Sequence, residues 1–330
     1  EGLRVRVDAQ GRVTSYVLNG REMAAGPMNV LRMYKDVPRL FDAWDIDSNY
    51  RECGFETPVV ESMAVDCAQG LAASLTWTGR VGASAIRQTI SVQVGSPVVT
   101  LATTVDWHEL HRLLKVAFPV DVRAENALHE MQFGYVERPT HRSRGYDQQR
   151  FEVCNHRYTA LHDNGHGCAV LNDCKYGVGV EENSIELTLL RAAASPEMAS
   201  DQGQQHFRYG FTAWEGAFDR SPVVRQGLAF NLPVTVAPGL CGRFSAFSTD
   251  APNVILDTLK PADDGSGDMI LRLYESRKED VAFRLRSDLP VKALQPCDML
   301  ENPTGEALPL EAPLHVRPFQ VLTLRVKLAE

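Results

Sequence analysis

The feature that most constrains the fold is the alternation of apolar and polar residues from Leu71 to Val105. A period of two sends one row of side chains to a buried face and the next row to solvent, as in β-strands. Glycine and proline divide this stretch into three segments, which is typical of turns between strands. The sequence therefore predicts a three-stranded meander, and convincing helical periodicity is scarce in the rest of the chain.

The same alternation recurs along the chain and predicts an all-β fold. Leu3 to Val7 and Val13 to Val17 are predicted to form an opening hairpin, and Leu113 to Val122 a further strand. Beyond Asn231 the predicted strands become short and follow one another at regular intervals. We therefore predict a large β-sandwich over residues 1-242 and a small β-sandwich over residues 243-330.

Composition and charge exclude several classes of protein. Of the 330 residues, 44% are hydrophobic and 23% are charged, which is ordinary for a globular protein and excludes a disordered chain. The net charge of −8 and the scattered arginines argue against a nucleic-acid partner. No apolar run approaches the roughly 18 residues that a spanning helix needs, so no membrane partner is expected.

The cysteines indicate a reducing, cytoplasmic setting. Their number, seven, is odd, and no CxxC pair occurs among them. We expect reduced and mostly buried thiols at Cys53, Cys67, Cys154, Cys168, Cys174, Cys241 and Cys297. No Asn-x-Ser/Thr acceptor occurs, because the only candidate, Asn302, is followed by Pro303. The chain begins at Glu1 without a methionine, and we expect it to be a piece of a longer protein.

One polar loop concentrates more chemistry than a turn requires. Between the predicted strands Cys168 to Leu171 and Ile185 to Leu190, the loop carries a carboxamide, a carboxylate, an ammonium and a phenol. These groups belong to Asn172, Asp173, Lys175 and Tyr176. Either the loop forms part of a binding site, or it is a long hairpin loop whose side chains cap their own backbone. The loop alone leaves both interpretations open.

A second polar and aromatic segment runs from Tyr34 to Glu52. If this segment is extended, Asp45 and Asp47 lie on one face and Trp44 lies on the other. Two carboxylates on one face, with an indole on the other, make this segment a second candidate for a functional site. The alternative is a surface strand or turn with a half-buried tryptophan.

Two further segments supply candidate groups. Arg138 and His141 flank Pro139, and an internal salt bridge from Glu137 to Arg138 is the alternative to a carboxylate-binding role. The long loop that begins at Arg191 ends near Asp201, and loops of that length are commonly functional. Metal binding is not expected at the histidine pairs, because His-x-x-His lacks the HExxH form and a turn separates the other pair. These pairs are His108 with His111, and His162 with His166.

Several separate motifs resemble one family in this order and spacing: FDAWDID, VDWHELHRLLKVAFPVDV, QFGYVERPTHR, RFEVCNHRY, VLNDCKYG, ILRLYE and RPFQVLTLRV. The resemblance is to the C-terminal part of the α-mannosidases of glycoside hydrolase family thirty-eight, in its cytosolic and bacterial branch. It extends from about Leu3 to Leu328. VERPTHR and LNDCKYG are its most distinctive motifs.

The resemblance implies a galactose-mutarotase-like supersandwich followed by a small β-sandwich. It also implies that the zinc cofactor, the aspartate nucleophile and the acidic proton donor belong to an N-terminal catalytic domain of the same polypeptide. This chain would then hold no catalytic residue and would lend loops to the pocket for an α-mannoside oligosaccharide. The implied substrate-binding residues are Asp42, Trp44, Asp45, Arg138, His141, Asn172, Asp173, Lys175, Tyr176, Arg191 and Asp201.

Two alternatives from other functional classes stay open at this point. One is a free-standing carbohydrate-binding β-sandwich that holds mannosides without cleaving them. The other is a mutarotase-like epimerase, for which His141 with Glu137 is the only acid-base pair that we can nominate. The sequence leaves open whether the protein forms a homo-oligomer.

Overall fold

The computed structural model describes residues 2–239 and 242–329. The chain divides into two compact units. The first comprises Glu1–Glu130 and Val136–Pro233, and the second comprises Met131–Tyr135 and Val234–Glu330. The boundary at residues 242 and 243 that we expect from the sequence lies next to Leu240 and Cys241, which are outside the described residues.

The strands that precede Pro233 follow one another closely along the chain. They are β1 (Leu3–Val7), β2 (Val13–Leu18), β3 (Arg21–Glu22), β4 (Val30–Lys35), β5 (Phe55–Glu56), β6 (Val59–Ala68), β7 (Ala72–Val81), β8 (Ser84–Gln93), β9 (Val99–Trp107), β10 (Arg112–Pro119), β11 (Asn126–Met131), β12 (Gly134–Pro139), β13 (Val153–Cys154), β14 (Tyr158–His162), β15 (His166–Asn172), β16 (Gly177–Glu181), β17 (Ser184–Arg191) and β18 (Gly203–Glu215). The helices are α1 (Gly145–Gln148) and α2 (Val223–Asn231), with 3-10 turns at Ser48–Cys53 and Phe218–Arg220.

Two large sheets enclose the core of the first unit. One has six strands in the order β13-β16-β17-β10-β4-β5, and the other has nine in the order β12-β11-β14-β15-β18-β9-β8-β7-β6. Strand β10 shows how alternation builds this core, because Leu114, Val116 and Phe118 pack with Leu101 and Val105 of β9. The prediction of an all-β sandwich is confirmed, as are the opening hairpin β1-β2 and the meander β7-β8-β9.

A buried polar cluster ties the two sheets together. Gln88 of β8 accepts hydrogen bonds from Asn29, at 2.7 Å, and from the indole of Trp77, at 3.2 Å. Its amide donates to Thr103 and to the Tyr209 hydroxyl. A buried carboxamide that lacked these partners would be costly to desolvate, so the cluster favours one alignment of the sheets.

The second unit is a small β-sandwich with its own core. Leu271, Leu273, Phe283, Leu294 and Leu324 are buried together in it. Strands β20, β21, β26 and β24 form one sheet, while β19-β23 and β22-β25 are two-stranded. The strands are β19 (Ser248–Thr249), β20 (Val254–Pro261), β21 (Met269–Glu275), β22 (Val281–Phe283), β23 (Leu285–Arg286), β24 (Val291–Cys297), β25 (Leu314–Val316) and β26 (Val321–Leu328).

Two local expectations are wrong. The segment after β4 is not extended, because the N–H groups of Trp44 and Asp45 both donate to the Phe41 carbonyl, at 2.8 and 2.9 Å, and close a turn. Asp45 and Asp47 therefore do not share a strand face. The loop at Asp173 is not a hairpin loop either, because it joins β15 of the nine-stranded sheet to β16 of the six-stranded sheet.

The thiols are free but less buried than expected. Of the described cysteines, Cys168 and Cys297 are buried. The exposed ones are Cys53, Cys67, Cys154 and Cys174. Cys53 ends a 3-10 turn, Cys67 and Cys154 lie on the edge strands β6 and β13, and Cys174 lies in a loop. Cys241 lies outside the described residues.

Candidate functional site

The candidate loops leave the same end of the six-stranded sheet. Strand β4 ends where β10 begins, since Lys35 pairs with Arg112, and β17 ends beside them because Leu113 pairs with Arg191. Strand β16 runs antiparallel to β17, so its start at Gly177 lies at this end too. Antiparallel topology thus gathers the loops at residues 36–47, 108–111, 173–176 and 192–202 on one rim.

Arg191 holds the loop after β4 in place. Its guanidinium forms a two-pronged ion pair with Asp36, whose side chain is 3% exposed. The same group donates to the backbone carbonyls of Ala43, at 3.1 Å, and Asp45. Asp201 in turn accepts a 2.9 Å hydrogen bond from the Arg191 N–H. Planar, multidentate arginine contacts of this kind fix geometry, so Arg191 positions the turn that carries Trp44.

Asp42 makes the reciprocal connection from the first loop to the loop after β17. Its Oδ2 accepts hydrogen bonds from the N–H groups of Ala194, at 2.7 Å, and Ser195, at 3.1 Å. The His111 ring lies 3.1 Å from the same oxygen. Burial raises the pKa of Asp42, but the hydrogen bonds from Ala194, His111 and Ser195 outweigh it and lower the pKa below its ordinary value of 3.8.

This lowered pKa predicts a loss of stability in acid. Because the folded-state pKa of Asp42 lies below the unfolded-state value, its contribution is full above about pH 4 and is lost as the pH falls through the folded-state pKa. We expect Asp42→Asn to reduce stability at pH 7 and to flatten the decline below pH 4, measured by urea unfolding at a series of pH values. Asp45→Asn, which removes a charge from the same turn, is expected to keep the wild-type decline. A decline identical in wild type and Asp42→Asn would contradict the assignment.

The loops at residues 36–47, 108–111 and 192–202 present an exposed surface of aromatic and aliphatic side chains. Trp44 is 72% exposed although its backbone is anchored on both sides. Large exposed apolar side chains lie on the same three loops, namely Val37, Leu40, Phe41, Leu110 and Met198. An apolar surface held on a rigid base is typical of a binding or docking surface.

The loop from β15 to β16 has a buried anchor and exposed polar ends. Asn172 is 1% exposed, and its amide donates to Asn155 and to the His156 carbonyl while its oxygen accepts from the Lys175 N–H. These bonds are all internal, so the carboxamide shapes the loop. The sequence places Asn172 beside Asp173, Lys175 and Tyr176, and the structure separates its role from theirs.

The other three side chains of this loop face solvent in part. Asp173 pairs with Arg208 at 3.0 Å, and Lys175 lies 4.8 Å from the centroid of the Phe207 ring. Tyr176 is half exposed beside His156. Asp173 lines a polar depression of about 380 Å³ that does not include the loops at Trp44 or Arg191. The two groups of candidates therefore share a rim but not a cavity.

Arg138 lies beside the loop at Tyr176, whereas His141 lies near the other end of β16. Arg138 donates to the Cys154 carbonyl at 3.1 Å, and Cys154 pairs with Gly177, the residue after Tyr176. His141 contacts the Ser143 hydroxyl at 2.5 Å and lines a groove of about 740 Å³ with Thr140 and Glu182. Glu137 does not line this groove.

Sequence reasoning missed a buried charge network on the outer face of the six-stranded sheet. Lys115 is fully buried and pairs with Glu152, which also accepts a 2.8 Å hydrogen bond from the Tyr50 hydroxyl. Arg51 lies 3.2 Å from Glu186, whose carboxylate is buried. Burial raises the pKa of the Tyr50 phenol, and the charge of Glu152 raises it further.

The network clamps the loop that carries Trp44 to the sheet. Tyr50 and Arg51 belong to the 3-10 turn that follows this loop, whereas Lys115 and Glu186 belong to β10 and β17. A lysine inside the apolar run LLKVAFP was the signal, because a charge in a buried strand requires a partner. The sequence could not name that partner, which lies 37 residues away in the chain.

Neither a zinc site nor a membrane-spanning helix is present in the described part of the chain. Among residues 2–239 and 242–329, no group of three or more His, Cys, Asp or Glu side chains could hold a metal ion. The described residues therefore do not fit zinc. None of the described helices has the length and apolar character that crossing a membrane requires.

Comparison with known proteins identifies the family. A model of the glycosyl hydrolases family 38 C-terminal domain matches residues 1–199. A model of the family 38 C-terminal beta sandwich domain matches residues 253–324. The chain belongs to glycosyl hydrolase family 38. The resemblance noted from the motifs is thereby confirmed, and each matched range lies within a different compact unit for most of its length.

Relatives of this family 38 chain are named α-mannosidases. Alpha-mannosidase 2C1 of Homo sapiens is 37% identical over 98% of this chain, and alpha-mannosidase G of Dictyostelium discoideum is 34% identical over 74%. The chain spans about a third of the human relative, 32% of its length. An α-mannosidase structure from Enterococcus faecalis V583 matches with a TM-score of 0.79 and 16% identity, over 99% of this chain and 41% of that one, which shows the common fold.

Proposed function

We propose that this chain is the C-terminal β portion of a zinc-dependent retaining α-mannosidase that hydrolyses terminal α-mannosides. The observation that carries the proposal is the 37% identity over 98% of the chain to a relative named alpha-mannosidase. Both family 38 C-terminal models support the same placement. Because the relatives are about three times longer, the proposal assigns the nucleophile, proton donor and zinc to an N-terminal catalytic domain of the same polypeptide.

The contribution of this chain is recognition and assembly. Retaining hydrolysis needs two carboxyl groups about 5 to 5.5 Å apart across the scissile bond. Asp42 does not suit that role, because its oxygen is committed to Ala194, Ser195 and His111. Asp45 has an exposed side chain on an anchored turn, which suits hydrogen bonding to sugar hydroxyls.

Trp44 is the central recognition residue in this proposal. Its exposed indole suits stacking on the apolar face of a pyranose, while nearby polar groups set orientation. Asp42, Arg191 and Asp201 hold the two loops that carry the site. The exposed groups of Asp173, Lys175 and Tyr176 extend it along the rim, with Asn172 as their anchor. Arg138 extends this surface beside Tyr176, and His141 forms a more distant, outer part of it.

The catalytic domain and the α-mannoside oligosaccharide are the proposed partners. The apolar side chains on the rim, including Leu40, Phe41 and Met198, suit docking of that domain because they are too numerous for one sugar. A cytoplasmic setting stays a prediction, with which the free thiols of the described cysteines agree.

Replacing the indole tests the recognition role. In the longer polypeptide that contains this chain, we expect Trp44→Ala to lower kcat/KM for an aryl α-mannoside about tenfold, equivalent to about 1.4 kcal/mol of lost stacking. Leu300→Ala removes an equally exposed apolar side chain from the second unit and should leave kcat/KM unchanged. Equal values for both variants would refute the sugar-contacting role of Trp44.

Calorimetry distinguishes the proposal from a free-standing carbohydrate-binding module. A pocket completed by a second domain predicts weak or undetectable heats when the isolated chain is titrated with mannose oligosaccharides. Saturable binding by the isolated chain that disappears in Trp44→Ala would favour the module instead.

A further inference from the structure

The two edges of the nine-stranded sheet differ sharply. One edge is β12, which has six residues and carries Glu137, Arg138 and Pro139. Charges and proline on a short strand are the usual protection against pairing with another strand. The other edge is β6, which has ten residues, VVESMAVDCA, with no proline and no basic residue.

Strand β6 is exposed on both faces as well as along its edge. Every residue of β6 except Val60 is exposed, and Val65 is 70% exposed. After a bulge between Val60 and Ser62, seven consecutive residues pair regularly with β7. The outer edge of this regular stretch presents backbone N–H and C=O groups to a neighbouring strand.

We propose that β6 pairs antiparallel with β6 of a second copy of this chain, around a two-fold axis at Val65. The regular stretch from Ser62 to Ala68 is centred on this residue. This axis places Ser62 opposite Ala68 of the second copy, so that every residue of the regular stretch lies opposite a residue of the second copy. The inference does not depend on the proposed glycosidase function.

Charge and side-chain chemistry favour this register. Met63 lies opposite Cys67 and Val65 lies opposite itself, so one face of the joined sheets carries a continuous apolar stripe. On the other face Ala64 lies opposite Asp66, and no two like charges are directly opposed. Centring the axis on Asp66 instead would set this carboxylate opposite its own copy and would be disfavoured.

Hydrogen-bond geometry excludes the registers in which the two-fold axis lies between two residues. Along a strand, successive residues direct their backbone groups alternately to the two neighbouring strands. Two copies can therefore form bonds only when residues with outward-pointing groups lie opposite each other. Centring the axis on a residue, as at Val65, satisfies this condition, whereas centring it between two residues does not. The edge is thus self-complementary, which favours a second copy as the occupant.

The direct test is the mass of the 330-residue chain by sedimentation equilibrium at about 150 mM salt, a strength that screens surface charge. We expect a concentration-dependent dimer. Val65→Lys, which places two ammonium groups at the axis, should weaken dimerisation at least tenfold. Val136→Lys makes the same change on the exposed side chain of the other edge strand and should leave the dimer intact. A monomer at all concentrations would overturn the proposal and leave another part of the longer polypeptide as the occupant of this edge.

Cross-linking tests the register. Met63→Cys places a thiol opposite Cys67 of the second copy, at a cross-strand distance compatible with a disulfide. Oxidation with Cu(II)-phenanthroline should then give a covalent dimer beyond the wild-type background. Ala64→Cys faces the other side, opposite Asp66, and should give only that background. A wild-type dimer unaffected by Val65→Lys, or equal cross-linking of the two cysteine variants, would also overturn the proposal.

Discussion

Arg191→Met is expected to destabilise the first unit by about 3 to 5 kcal/mol, because it leaves the buried carboxylate of Asp36 without its partner. Methionine keeps most of the aliphatic stem, so the loss reports mainly the guanidinium contacts. The loop from Asp36 to Asp47 should also become sensitive to proteolysis, since Arg191 anchors it at Ala43 and Asp45. Urea unfolding followed by tryptophan fluorescence measures the change.

Arg39→Met provides the matched control. Arg39 pairs with Asp47 in the same loop at 3.2 Å, but its side chain is 89% exposed. Exposed ion pairs contribute about 0 to 1 kcal/mol, so this variant should stay near wild type. The tryptophans Trp44, Trp77, Trp107 and Trp214 all lie in the first unit, and their fluorescence therefore reports that unit alone. Similar losses in the two variants would contradict the anchoring role of Arg191.

Lys115→Met is expected to have an effect at the lower end of the range for Arg191→Met, about 3 kcal/mol, because it removes the nearest charged partner of Glu152 and leaves only the more distant Arg51. The same fluorescence assay applies. Glu152 would retain the Tyr50 and Thr188 hydroxyls, at 2.8 and 3.3 Å, and one charged partner, the Arg51 guanidinium at 4.0 Å. Because the network holds the 3-10 turn at Tyr50, we also expect the emission of Trp44 to change.

The double variant Lys115→Met with Glu152→Gln separates the charge from the packing. Removing both charges together should restore most of the stability lost in the single variant, since a buried pair replaced by neutral groups is often tolerated. The coupling between the two positions should therefore exceed about 1 kcal/mol in a double-mutant cycle. Additive losses would show that Lys115 stabilises the sheet by packing rather than by its charge.

The regular part of the fold was accessible from sequence because its signal is local. In β7, β8 and β9 successive side chains point to opposite faces of the sheet, so the alternation of apolar and polar residues shows which face is buried. The turns between these strands are marked by glycine and proline. The prediction that the segment after β4 is extended was wrong for the opposite reason, because its conformation depends on a distant contact. Its turn at Phe41 is held by Arg191, about 150 residues later in the chain, and no local pattern encodes such a contact.

The loops that carry the candidate site could be predicted from the sequence, but the roles of the individual residues in them could not. The family resemblance nominated Asp42, Trp44 and Arg191, and topology places all three on one rim. Their roles depend on hydrogen-bond partners that sequence does not reveal. Asp42 and Arg191 hold loops, whereas Trp44 is presented to solvent. His111 and Asp36 were not nominated, because their importance lies only in contacts with distant loops.

The most direct test of the central claim is a hydrolysis assay of the 330-residue chain with an aryl α-mannoside, with and without added zinc. If this chain supplies recognition loops to a catalytic domain that lies outside it, the rate should equal that of buffer under both conditions. Hydrolysis at a typical enzymatic rate of about 1 s⁻¹ or more, independent of zinc, would contradict that division of roles.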